Sequence, residues 1–100
     1  MRVLKKEPGK RAEITEIDNT LEALQGAVGG YIETVTFTSD VVVICNEEGR
    51  IHGLQENCEI LGVSFVGTIL FVGKRGEDFC SLRPETEKLI RELVLKEVKG

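Results

Sequence analysis

"VVVICNEEGRIHGL", residues 41–54, changes character halfway along. Val41 to Cys45 offers no polar face at all, which suits a strand covered on both sides or lying at the centre of a sheet. Asn46 and Gly49 then stand at the first and fourth positions of a type I turn, with Glu47 and Glu48 as its solvent-facing tip. The pattern predicts a bulged hairpin whose arms are Val41–Cys45 and Arg50–Leu54. His52 is not used by that account. It is the sole histidine of the chain and lies between the apolar neighbours Ile51 and Leu54.

Upstream, the apolar period is two. Tyr31, Glu33, Val35 and Phe37 fall on one side and Ile32, Thr34, Thr36 and Thr38 on the other, β-branched material suited to a strand that ends at Ser39-Asp40. Before it, Leu21, Leu24 and Val28 sit at i, i+3 and i+7, predicting a short helix of about nine residues capped by Asn19, with Glu22 reaching back and Gly29-Gly30 as its stop. A helix this short is marginal in water and depends on packing. Earlier still, Arg2–Lys6 and Ala12–Ile17 read as strands joined through Pro8-Gly9, the pair a type II turn prefers.

Downstream, Gln55–Leu61 has an ambiguous pattern, one helical turn being among its readings, and Val63–Val72 reads as a single apolar strand interrupted at Gly67 by a bulge or a close backbone approach. Lys74-Arg75-Gly76-Glu77 is a turn before a last short strand, Asp78–Leu82. Pro84 opens a helix of roughly 14 residues. Glu85 and Glu87 suit its positive end, Lys96 and Lys99 the other, and Leu89, Ile90, Leu93 and Val94 form the core-facing stripe. The fold class expected is α+β, one domain over residues 1–100. A mostly antiparallel sheet of about six or seven strands carries a short central helix and a C-terminal amphipathic helix.

Composition narrows the function. The 100 residues are 41% hydrophobic and 30% charged, ordinary for a globular domain, and the 5% aromatic content makes Val, Ile and Leu the expected core. No apolar run approaches the ~18 residues of a membrane span, and the start lacks a signal-peptide pattern, so the expected location is the cytoplasm. The net charge of −4 is unevenly laid out. Residues 12–48 hold Glu13, Glu16, Asp18, Glu22, Glu33, Asp40, Glu47 and Glu48 with no Lys or Arg. A phosphate-tracking basic face is not evident, and nucleic acid is not the expected partner.

Cys45, Cys58 and Cys80 form no C-x-x-C pair, so neither a disulfide framework nor a zinc site is expected, and no cofactor is implied. A Cys45–His52 couple facing across the predicted hairpin is the conceivable nucleophilic arrangement, although a thiol ending an apolar strand is normally inert. Gly26, Gly29 and Gly30 end a helix, whereas a phosphate cradle needs glycines at a helix start. Tyr31, the single tyrosine, is either a packed or sheet-edge aromatic or a contact residue in a groove beside the helix end.

Three ordered blocks, "EIDNTLEALQGAVGGYIETV", "VVVICNEEGRIHGL" and "VGTILFVGKRGEDFCSL", resemble the successive blocks of a small family numbered domain of unknown function 3846, met mainly in phages, plasmids and other mobile elements of Gram-positive bacteria. The resemblance runs from about residue 2 to 95. This chain departs from it where Gln55-Glu56-Asn57-Cys58 replaces a proline-containing stretch and where Arg83-Pro84 replaces a Thr cap. The resemblance brings no activity with it and implies an accessory setting.

The expected function is therefore a non-enzymatic interaction or accessory module with a protein partner, itself included as a homodimer. Tyr31, Glu47, Glu48 and His52 are its candidate surface. Two alternatives stand beside it: an acidic mimic of DNA that inhibits a DNA-processing or restriction enzyme, and a small-molecule or hydrolytic site around Cys45, Glu47 and His52.

Overall fold

The computed structural model describes residues 1–97, with side chains as far as Val94. Its main sheet is fully antiparallel. Strands β1 (Arg2–Lys6), β2 (Glu13–Glu16), β3 (Ile32–Thr38), β4 (Val41–Asn46) and β7 (Ile69–Arg75) lie in the order β2-β1-β7-β4-β3, and β8 (Asp78–Cys80) pairs with the far end of β7. A separate two-stranded sheet is made by β5 (Glu56–Ile60) and β6 (Val63–Val66). Helices α1 (Leu21–Val28) and α2 (Pro84–Glu97) complete the fold.

Alternation along the central strands divides the core in two. Leu4, Val43 and Phe71 belong to a cluster closed by Ile90 and Val94 of α2 and by Ile60 and Phe65 of the β5–β6 hairpin. Val3, Ile44 and Leu70 belong to the other, closed by Leu24 and Val28 of α1. Every residue of β4 is buried, which accounts for its lack of a polar face. Across the first cluster, Phe37 and Phe71 meet edge to face with ring centroids 6.0 Å apart.

Several local expectations need correction. Arg50–Leu54 is not a strand. Both sides of β4 are already taken by β3 and β7, which leaves no place for a hairpin arm. The chain winds up instead: His52 N–H donates to the Glu48 carbonyl, Gly53 N–H to Arg50 and Leu54 N–H to Gly49. The turn bond from Gly49 N–H to the Asn46 carbonyl does form, at 3.2 Å.

Gln55–Leu61 is strand rather than helix, because residues 56–60 pair with β6. The expected single strand Val63–Val72 is two strands. Gly67 takes φ +73 and redirects the chain from the hairpin into the sheet, and an added Cβ there would come within 2.7 Å of Leu54.

Helix α1 is capped one residue later than expected. Thr20 accepts from Ala23 N–H, while Asn19 donates instead to the Phe79 carbonyl. Gly29 ends the helix in the left-handed region, φ 82. Leu21 and Leu89, assigned to apolar stripes, are 54% and 67% exposed, so each helix buries a narrower face than its sequence offers. The strand of Asp78–Leu82 stops at Cys80, and that of Ala12–Ile17 covers only Glu13–Glu16. Helix α2 begins at Pro84 as expected, while the charges of Lys96 and Lys99 lie outside the described residues.

One buried charge ties the small sheet to the large one. Lys6 is fully enclosed, and its ammonium donates to the Glu7 carbonyl at 2.8 Å and to Asn57 Oδ1 at 3.0 Å. Asn57 Nδ2 in turn donates to the carbonyls of Lys6 and Gly67. Burial pulls the Lys6 ammonium below its ordinary range, with Cys58 acting in the opposite direction. An ammonium taken out of water is tolerated only with such partners.

Candidate interaction site

The residues singled out from the sequence gather where α1 stops and β4 turns. Asn46 organises the place. Its Nδ2 donates to the Val28 carbonyl at the end of α1, and its Oδ1 accepts from Glu48 N–H at 2.8 Å. Glu47 N–H donates to the Tyr31 carbonyl at 2.8 Å, so the turn is also tied to the start of β3. Gly30 fits beneath this joint because a Cβ there would lie 2.9 Å from Asn46 Nδ2.

The result is an open groove of about 210 Å³. Gln25, Gly29 and Gly30 at the α1 end, Tyr31, Asn46, and Glu48 and His52 of the wound segment line it. Tyr31 is 67% exposed, which favours the contact-residue reading over a packed ring. His52 Nε2 lies 3.8 Å from Glu48 Oε1, one turn apart along the wound segment, and both side chains are about half exposed. The structure thus brings Tyr31, Glu48 and His52 together. Glu47 belongs elsewhere, to an adjoining depression of about 250 Å³ with Arg50, Ile51 and Val63.

Cys45 lines that second depression and not the groove of His52. Its Sγ points to the Glu33 carbonyl at 3.7 Å, and burial, with the Glu33 charge adding to it, pushes the thiol up to about 11. Such a thiol is protonated at neutral pH and is a poor nucleophile. All three cysteines are outside disulfides, Cys45 buried and Cys58 and Cys80 half-buried. Among the described residues no three His, Cys, Asp or Glu side chains converge as a metal site requires, and no helix is long and apolar enough to cross a membrane.

The acids of residues 12–48 do not share one face. Glu16 lies across from Arg2 and Glu13 across from Lys5, so these two project to opposite faces of β2, and Glu33 is on β3 at the other edge of the main sheet. Sequence reasoning did not single out Gln25 and Asn46 as parts of one place, because what joins them is the return of β4 past the end of α1, a contact that local spacing does not announce.

These features define a small α+β protein with two packed sheet faces and an open groove where α1 stops and β4 turns. The family is shown by sequence: the model of the family described as Domain of unknown function (DUF3846) matches residues 1–95, and the chain belongs to that family. No curated protein and no solved structure matches the chain.

Proposed function

We propose that the chain is a non-enzymatic binding module, an accessory protein of a mobile genetic element, that meets a protein partner at the end of the sheet where α1 stops and β4 turns. One observation carries this reading: Tyr31 and Ile51, 67% and 81% exposed, line two depressions that share Asn46 where β4 turns, and burying them would gain what folding has left unused. The groove beneath Tyr31 supplies polar groups to fix the orientation of whatever covers it. The hydrolytic alternative has its thiol and its imidazole lining different depressions. The DNA-mimic alternative has its acids divided between opposite sheet edges.

A photo-crosslinking side chain placed at position 31 in the native host tests the reading. The expected result is a discrete adduct with a protein, a second copy of the chain included, and none from the same group at position 13 on the opposite edge. A protein that stays monomeric by light scattering and gives no adduct from position 31 would overturn it.

A further inference from the structure

We infer that the groove under Tyr31 receives a cation, the guanidinium or ammonium of an Arg- or Lys-bearing segment of a protein partner. This rests on the binding-module reading and names the chemistry of its contact. Three independent features make the groove attractive to positive charge. It lies at the C-terminal end of α1, the negative end of the helix, and that last turn carries no basic residue to offset it. The Gln25 and Val28 carbonyls there already accept from Gly29 N–H, Gly30 N–H and the Asn46 amide, so the helix end contributes its dipole and Glu48 must supply the direct contact.

Glu48 supplies a carboxylate to the lining of the groove. Tyr31 offers an exposed ring whose face attracts a cation brought alongside. The nearest basic side chain in the sequence is Arg50, and it is turned away: its guanidinium donates to the Ser64 carbonyl at 2.7 Å on the hairpin side. Among the described residues the internal competitor for Glu48 is His52, at 3.8 Å.

Charge complementarity therefore selects a basic segment over an acidic or apolar one. A planar guanidinium would fit best, because it can stack on Tyr31 while donating to Glu48.

Tyr31 is also the built-in reporter, being the single tyrosine of a chain that has no tryptophan. The probe is a short capped peptide alternating glycine and arginine, titrated against the protein by tyrosine fluorescence and by calorimetry, with a citrulline version as the uncharged isostere. The arginine peptide is expected to change Tyr31 emission and to bind about ten-fold more tightly than the citrulline peptide. Glu48→Gln should weaken it about five-fold and Tyr31→Leu about three-fold by calorimetry. Glu13→Gln, on the far edge, should leave it unchanged. Equal binding of the two peptides, no binding, or an equal loss from Glu13→Gln and Glu48→Gln would overturn the inference. If position 31 crosslinks a partner that the arginine peptide fails to displace, the cation inference falls while the binding-module reading stands.

Discussion

Strand β4 and the turn that follows it share a peptide bond but are held by different forces. All six residues of β4 are buried, whereas Glu47, Arg50, Ile51, His52 and Gly53 are exposed. The strand is fixed by its hairpin partner β3 on one side, by the sequence-distant β7 on the other, and by core layers above and below. The turn is fixed by short-range backbone bonds and by Asn46, which belongs to both regions. What holds β4 is cooperative and apolar, and what holds the turn is local and polar. A surface supported in the second way can vary in its side chains without threatening the first.

That contrast can be broken at three points. The largest effect is expected from Phe71→Ala, which removes a fully buried ring that lies opposite Val43 and packs edge to face on Phe37. It should cost about 3–5 kcal/mol in urea unfolding, and a loss under about 1 kcal/mol would show that the core is not centred on β7. The joint comes next. Asn46→Ala leaves the Val28 carbonyl and the Glu48 N–H without their partner and should cost about 1–3 kcal/mol. A neutral outcome would mean that the turn stands without it.

The third point is alkaline stability. The Cys45 thiol ionises near 9.0 when unfolded but only at about 11 when folded. Above pH 9 the unfolded state therefore binds fewer protons than the folded state, and stability falls until pH passes about 11. Lys6 works with the opposite sign, since its lowered folded value means the cost of burying its charge is relieved as pH rises towards 10.5. Comparing the native chain with Cys45→Val cancels the Lys6 part. The difference should grow by up to about 2 kcal/mol from pH 9 to 11, and parallel curves would show that Cys45 is not buried as described.

The sequence announced those parts of the fold whose signals are local. Pro84 and the glutamates after it marked the start of α2, Gly29 marked the end of α1, and the unbroken apolar run marked β4. It misled where the outcome depended on vacancy in the sheet. Arg50–Leu54 has an acceptable strand pattern, but β4 has no free side to receive it. Gly67 was noticed as an interruption, yet a bulge and a change of sheet look alike until Leu54 is seen packed against it. At the site, Tyr31, Glu48 and His52 were visible as chemically distinctive residues. Their shared groove was not, because Asn46 had been fully used in accounting for a turn while its amide also reaches the end of α1.

The position of β7 carries a consequence for how the chain folds. Strands β1 and β2, and likewise β3 and β4, are neighbours in sequence and can pair as soon as each hairpin exists. In the sheet the two hairpins are joined through β7, which sets Leu4 opposite Phe71 and Val43 opposite the other side of that same residue. Such long-range closure is slow. Until β7 slots in, β1 and β4 each present an unpaired edge, with three of the five residues of β1 and all six of β4 destined for the interior. The time before closure is when the chain is most exposed to pairing with its neighbours and to aggregation, and burial in the finished sheet hides that vulnerability.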